Sequence, residues 1–125
     1  MAEHYSSFER GGRRWLWQRI TAAFLVVALS FHFFLLHFVY HADEVTFALT
    51  SARMEMWSYY TLMILFLITA TFHGVNGVYN ALINQGLSGT KRTIVKWTLI
   101  AASVIVIVQG FRTANAWAGI TVLPI

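Results

Sequence analysis

The chain contains no cysteine among its 125 residues. Disulfide bonds, cysteine-ligated zinc and cysteine-ligated iron–sulfur clusters within this chain are therefore excluded. Charged residues are also scarce, at 11% of the sequence, against about 25% in soluble domains. The five carboxylates lie in the N-terminal segment and in residues 42–56, so we expect neither a paired acid–base set nor a hydrolytic site.

Hydrophobic residues make up 58% of the chain and are concentrated in three long runs. Crossing a bilayer takes about 20 residues of helix, and the runs at residues 16–40, 57–83 and 95–118 reach that length. The first run is too long for the apolar part of a cleaved signal peptide. We therefore predict an all-α membrane protein, a single domain over residues 1–125 with three transmembrane helices.

Basic residues are unevenly distributed between the two predicted sides of the membrane. Seven of the nine fall on one side: Arg10, Arg13, Arg14, Arg19, Lys91, Arg92 and Lys96. Because cytoplasmic loops of membrane proteins carry an excess of Lys and Arg, the N-terminus is predicted to be cytoplasmic. The chain is then expected in the cytoplasmic membrane. Residues 42–56 form the outer connection, where we expect a short interfacial helix. Residues 84–93 form the inner connection, in which Gly86 and Gly89 are predicted to form turns.

Two histidines, His32 and His73, lie deep inside the apolar runs, where an imidazole has no water to bind. Ionisable residues inside membrane helices are rare, usually face a bundle interior and are functional candidates. Histidine is also a standard axial ligand of haem iron. Each of the two is therefore either a ligand or a hydrogen-bond partner of a neighbouring group. His4 and His41 lie outside the runs and are expected to be solvated.

A third histidine, His37, lies near the outer end of the first run, where it could reach the membrane interface. It is five positions from His32, which is about 140° around a helix of 3.6 residues per turn. The two rings cannot both point squarely at one cofactor.

The second run carries a stripe of polar and small residues: Thr69, His73, Asn76, Gly77 and Asn80. Their spacings of three, four or seven residues place them on one helix face. Gly77 lies one turn beyond His73, where a glycine leaves room for a large flat ligand against the backbone. The alternative is ordinary helix–helix packing, which small residues in membrane helices often serve. The sequence leaves both interpretations open.

The segment WQRITAAFLVVALSFH resembles the start of a haem-binding helix in the cytochrome b subunits of succinate dehydrogenases and fumarate reductases. That pattern is a Gln-Arg-Ile-Thr start with a His thirteen residues after the Arg, which Arg19 and His32 match. The segment FHGVNGVYNAL resembles the family's second haem helix, with Asn-Gly three and four residues after His73. The likeness is closest to the second half of the single-chain, two-haem cytochrome b. The chain thus looks like the D subunit of the type that splits this bundle between C and D subunits.

This resemblance implies two haem b groups shared with a C-type anchor subunit. His73 would be an axial ligand of the haem nearer the iron–sulfur subunit, and His32 of the distal haem, with His37 as the rival for His32. Gly77 would lie beside the haem on the same face as His73. Arg19 would contact a haem propionate or a quinone or, in the alternative interpretation, reach lipid phosphate.

Quinone-binding candidates also follow from the resemblance. In one-haem relatives an Asp-Tyr pair follows the second-helix His by eleven and twelve residues, and its Tyr helps to bind quinone. Here those positions are Asn84 and Gln85, so the tyrosine role does not carry over. Their amides, and the Thr21 hydroxyl near the inner surface, are the candidates for hydrogen bonds to quinone.

The function that the resemblance implies is a haem b-binding membrane anchor of succinate dehydrogenase, an enzyme of the tricarboxylic acid cycle. Succinate would be oxidised on the flavoprotein and iron–sulfur subunits, and electrons would pass to membrane quinone. Lipid would surround the chain, and no nucleic-acid partner is expected. The alternatives are a haem-poor structural anchor and a small subunit of another membrane complex. A transporter should show broken helices or a denser polar path, which this sequence lacks.

Overall fold

The computed structural model describes residues 12–120, and within that range every regular element is helical. The helices are α1 (Gly12–Phe34), α2 (Phe47–Glu55), α3 (Trp57–Asn84) and α4 (Gly89–Trp117). A π-helical turn, Leu35–Val39, extends α1 to an apolar span of 28 residues, and α3 and α4 are spans of 28 and 29 residues. The predicted all-α fold with three helices long enough to cross a membrane is confirmed.

The third spanning helix begins before its apolar run. α4 starts at Gly89, whereas the apolar run starts at residue 95, so Lys91, Arg92 and Lys96 lie in its first turns rather than in a loop. The connection from α3 is correspondingly short, at residues 85–88. An apolar run marks the segment that can lie in hydrocarbon, while Lys and Arg are good helix formers that continue the same helix into the interface.

The inner connection begins with a left-handed glycine. Gly86 has φ +93°, and Leu87 N donates to Leu82 O at 3.0 Å. This arrangement satisfies carbonyl groups that have no partner at the end of a helix, and it favours glycine because a Cβ is strained there. The turn-forming role predicted for Gly86 is therefore confirmed. Gly119, with φ +67°, ends α4 in the same way.

The short helix expected in the outer connection is present as α2. Thr46 caps its start, since the threonine hydroxyl accepts a hydrogen bond from Leu49 N at 3.3 Å. α2 is attached to the end of α4 in two ways. Ser51 Oγ donates to Trp117 O at 2.8 Å, and the ring of Phe47 lies 4.4 Å from that of Trp117.

α3 is the central helix and packs against α1, α2 and α4. α4 approaches it closely at Gly110, where a Cβ would lie 2.5 Å from Cδ2 of Leu67. Nearer α2, Tyr60 Oη donates to Asn115 Oδ1 at 2.6 Å. The end of the bundle with the start of α1 is called the inner end below, and the end covered by α2 is called the outer end.

The described chain has almost no interior of its own. Its buried residues are Thr21, Ala28, Arg53 and Met54. At most 6% of the most apolar window of any span is buried, and large side chains such as Trp57 are 79% exposed. Apolar surface this extensive is not kept in water by a soluble monomer. The helix faces therefore need lipid or other protein around them.

Candidate functional site

The imidazole of His73 lies half-buried between α1 and α3. Its Nδ1 is 3.2 Å from Oγ1 of Thr21, a buried residue. The Thr21 hydroxyl donates its hydrogen to Trp17 O at 2.7 Å, so its oxygen can only accept from the ring. Nδ1 of His73 therefore carries the ring hydrogen, and Nε2 keeps a lone pair.

Gln18 joins α1 to α3 beside this ring. Its Nε2 donates to His73 O at 3.1 Å, and its Oε1 accepts from Asn76 Nδ2 at 2.7 Å. A Cβ at Gly77 would lie 3.4 Å from Gln18 Nε2, an ordinary van der Waals contact, so Gly77 lies against α1 without being required by the crossing. Gln18, Thr21, His73 and Asn76 are called the inner polar cluster below.

The stripe predicted on the second spanning helix divides in the structure. Asn76 and Gly77 meet α1 together with His73. Thr69 Oγ1 instead donates to a carbonyl of its own helix at 2.6 Å, and Asn80 is exposed. Helix packing is therefore one role of the stripe, and that packing also sets the surroundings of His73.

The surroundings of His73 fit an axial haem ligand. A hydroxyl orients the ring through Nδ1–H, as polar partners commonly orient metal-ligating histidines. Gln18 Nε2 lies 3.5 Å from His73 Nε2, which is at most a weak hydrogen bond, so Nε2 has no strong partner among the described residues. Residues 12–120 contain no group of three or more His, Cys, Asp or Glu that could hold a metal ion. A haem held by one histidine from each of two chains requires no such group.

His32 lies half-buried in the outer half of α1. It follows Ala28 by four residues and Thr21 by eleven, so it shares the helix face on which both of those residues are buried. Its Nδ1 is enclosed by protein and has no hydrogen-bond partner within residues 12–120. An unsatisfied polar atom in apolar surroundings costs free energy. The imidazole of His32 therefore lacks a partner that the described part of this chain does not provide.

The rival His37 is exposed and bonded to its own helix. Its Nδ1 lies 2.9 Å from Phe33 O, and its ring stacks on that of Phe33 at 4.1 Å. The turn that carries it is π-helical and closes with Tyr40 N donating to Leu35 O at 3.0 Å. The expected 140° separation from His32 assumes a regular α-helix, whereas this turn is π-helical and has more residues per turn.

Arg19 lies on the surface of α1 rather than beside His73. It is exposed, and its Cζ is 5.2 Å from the ring centre of Trp15. It is two residues from the buried Thr21, about 200° around the helix. From this position its guanidinium faces lipid or another subunit.

The three quinone candidates do not converge within the described chain. Thr21 lies at the level of His73, whereas Asn84 and Gln85 are exposed at the end of α3. Asn84 follows His73 by eleven residues, roughly 17 Å along a helix that rises 1.5 Å per residue. Gln85 lines an open cleft of about 540 Å³ at the inner connection.

A deeper groove of about 380 Å³ runs between α3 and α4. Its walls are largely apolar and include Phe72 and Leu99, while Arg14 and Lys96 lie towards its inner mouth. The groove therefore offers an apolar surface to the surroundings of the bundle.

Arg53 is the main polar feature of the outer end. It is 8% exposed, with its Cζ 5.2 Å from the ring centre of Tyr40 and 5.9 Å from that of Tyr59. Its Nε and Nη1 are enclosed and have no hydrogen-bond partner in the described part of the chain. Cation–π contacts contribute about 1–2 kcal/mol each, whereas desolvating a cation costs several kcal/mol. The two rings therefore do not offset the burial of this charge.

Sequence reasoning gave no role to Gln18 or Arg53. Gln18 precedes Thr21 by three residues, so the two share a helix face. This spacing of two polar residues is the sequence feature that indicates a contact role for Gln18. Nothing in the sequence separates Arg53, which points inward, from its neighbour Glu55, which is exposed.

The model of one known protein family, the succinate dehydrogenase/fumarate reductase transmembrane subunit, matches residues 2–110. No curated protein and no solved structure matches the chain significantly. The family match extends from the N-terminal segment through α1, α2 and α3 into α4. Together with the three spanning helices, it makes this chain a multi-pass integral membrane protein that belongs to the transmembrane subunits of succinate dehydrogenases and fumarate reductases.

Proposed function

We propose that this chain is the D-type, haem b-binding anchor subunit of a succinate:quinone oxidoreductase in the cytoplasmic membrane. Its family consists of cytochrome b-type membrane anchors that generally bind haem and associate with flavoprotein and iron–sulfur subunits. The observation that carries the proposal is the state of His73. Its Nδ1 lies 3.2 Å from Oγ1 of Thr21, and its Nε2 has no strong hydrogen-bond partner among the described residues.

In this proposal His73 would hold the haem nearer the iron–sulfur subunit, together with a C-type anchor subunit. When bound, the haem provides one-electron redox chemistry. The residues of this chain set its position. Thr21 orients the imidazole, Gln18 and Asn76 hold α1 against α3, and Gly77 lies beside Gln18 at that crossing.

We propose His32 as the axial ligand of a second, distal haem. Its half-burial on the face shared with Ala28 supports this assignment, because that face is directed into the bundle. His37 is the rival, since its Nδ1–H is bonded to Phe33 O and its Nε2 also keeps a lone pair. Substituting each histidine separately distinguishes them.

The remaining candidates lie nearer the inner end. The exposed Arg19 has the charge and position to contact a haem propionate or a lipid phosphate. Quinone reduction is proposed at the same end, with Thr21, Asn84 and Gln85 as candidate hydrogen-bond partners. Because these three are separated, residues of the iron–sulfur and C-type subunits must complete the quinone pocket.

The test is the haem-to-flavin ratio and the dithionite-reduced spectrum of the purified complex. We expect two b haems per flavin in the wild type, with one lost in His73→Ala and the other in His32→Ala. Asn80→Ala, an exposed position on the same helix as His73, is the matched control and should retain both. Loss of the distal haem in His37→Ala, with retention in His32→Ala, would transfer the ligand role to His37.

A haem-poor structural anchor is the second candidate function. It is favoured by the hydrogen bonding of the inner polar cluster, in which Gln18 bonds to both His73 O and Asn76 and so holds α1 against α3. Haem content that is unchanged in all three histidine variants would establish this alternative and reduce the histidines to packing residues.

A further inference from the structure

Arg53 is more than nine-tenths buried at the outer end of the bundle, and its Nε and Nη1 have no hydrogen-bond partner among residues 12–120. Arginine is almost never buried to this extent without a paired anion. We propose that Arg53 is the binding site for an anionic oxygen group, a phosphate or a carboxylate, at the outer end of the bundle.

Neighbouring carboxylates of the chain do not fill this role. Asp43 and Glu55 are exposed, and Oε2 of Glu44 accepts a hydrogen bond from His41 N at 3.3 Å. None of them bonds to the two enclosed nitrogens of Arg53. The Arg53 side chain packs inward, against the rings of Tyr40 and Tyr59.

The surroundings of Arg53 suit an anion. Tyr40 follows the end of α1 and Tyr59 lies in the first turn of α3, so their rings hold the guanidinium where two spans meet the interface. Tyrosine is enriched at that depth of a membrane. A guanidinium presents paired N–H donors that match the geometry of phosphate and carboxylate. The rings fix its plane but compensate only part of its desolvation.

Two sources can deliver this chemistry at this depth. One is the phosphate of an outer-leaflet phospholipid. The other is a propionate of a haem on His32, which precedes Tyr40 by eight residues, roughly 12 Å along the helix axis. The propionate source rests on the proposed function, whereas the lipid source requires only the membrane.

The experiment compares three forms of the complete purified complex: wild type, Arg53→Gln and Arg112→Gln. Arg112 is an exposed arginine near the outer end of α4, so its variant makes the same charge change at the same end. The first readout is retention of phosphatidylglycerol by native mass spectrometry, after delipidation and titration with that lipid. The second is potentiometric titration of the haems.

If the anion is a lipid phosphate, Arg53→Gln should weaken phosphatidylglycerol retention by tenfold or more and leave the haem potentials unchanged. If it is a propionate, Arg53→Gln should lower the potential of the haem that His32→Ala removes, because a nearby positive charge favours the reduced, more negative haem. Arg112→Gln should do neither. Equal behaviour of the two arginine variants in both readouts would overturn the proposal.

The haem content of His32→Ala separates this inference from the proposed function. If that variant retains all haem, the distal-haem assignment fails, while lipid retention still tests Arg53. Arg53→Lys serves if the glutamine variant does not assemble, since it keeps the charge but loses the paired donors. It should bind the anion more weakly than the wild type and with greater salt sensitivity, and wild-type values in both readouts would also overturn the proposal.

Discussion

The inner and outer halves of this helix bundle differ in whether their polar side chains have hydrogen-bond partners. In the inner half, the members of the inner polar cluster hydrogen-bond to one another and to backbone carbonyls. In the outer half, His32, Arg53 and Thr61 each keep a buried polar atom with no partner in residues 12–120. Lipid cannot supply these bonds. The inner polar cluster therefore has its hydrogen bonds within one chain, whereas the buried polar atoms of the outer half require a molecule or subunit from outside it.

Backbone geometry follows the same division. α1 is regular beside the inner polar cluster, and it widens into the π-helical turn Leu35–Val39 only beyond His32. Single π turns are rare in proteins, and those that exist are often found at functional sites. The outer end is also where α2 is fastened to α4 through Ser51 and Trp117. The least regular part of the first span thus coincides with the unsatisfied side chains.

The largest expected effect is at Arg53, in the outer half. Arg53→Met keeps most of the side-chain volume and removes the charge. With the anion bound, we expect the free energy of unfolding to fall by about 3 kcal/mol, because deleting one partner of a buried pair leaves the other charge uncompensated. In the complex stripped of lipid and haem, we expect the free energy of unfolding to stay the same or to rise by about 1 kcal/mol, since an apolar group then replaces an unpaired cation.

Thermal unfolding of both preparations, followed by circular dichroism, measures this difference. A Tm that falls equally with and without lipid and haem would mean that the tyrosine rings alone compensate the charge. The outer half would then be as complete as the inner half.

The next effect is at Gln18, in the inner half. Gln18→Leu leaves the Asn76 amide and the His73 carbonyl without their partners. We expect the free energy of unfolding to fall by about 1–2 kcal/mol, near the upper range for hydrogen bonds between membrane helices. Asn76→Leu should cost a similar amount. Because the two residues share one bond, the double variant should cost less than the sum of the single ones.

The Tm values of the four complexes test this coupling. Strictly additive shifts would show that the two side chains act independently and that the inner polar cluster is not a unit.

A smaller effect is expected at Thr21. Thr21→Val keeps the shape of the side chain and removes the acceptor for His73 Nδ1–H, at a cost of about 1 kcal/mol. Without that bond the imidazole loses its fixed orientation, so the reduced band of the haem that depends on His73 should shift. Thr21→Ser, which keeps the hydroxyl, should restore the wild-type spectrum. A valine variant with an unchanged spectrum would show that Thr21 does not orient the ring.

The sequence predicts the part of this structure that depends on segment length and composition. Three spans and a short helix in the outer connection follow from apolar runs of sufficient length, and Gly86 follows from turn chemistry. The face shared by His73, Asn76 and Gly77 follows from helical spacing. These features are local, so one segment carries enough information to predict each of them.

Features that depend on the register between helices were not predictable. The bonds from Gln18 to His73 O and Asn76 need α1 and α3 aligned to within one residue, and composition contains no signal for that alignment. The π-helical turn depends on hydrogen bonds shifted by one residue, with no distinctive sequence. The inward direction of Arg53 is set by where Tyr40 and Tyr59 meet, which is also a tertiary property.

The smallest expected effect tests whether hydrogen bonds in the two halves differ in strength or only in number. Tyr60→Phe removes the 2.6 Å bond to Asn115 at the outer end and should cost about 0.5–1 kcal/mol, near the average for bonds between membrane helices. Tyr59→Phe is the control, because it keeps the ring beside Arg53, and its Tm should match the wild type. A Tyr60→Phe shift as large as that of Gln18→Leu would mean that single bonds matter equally in both halves. The contrast would then lie wholly in the buried atoms that the outer half leaves without partners.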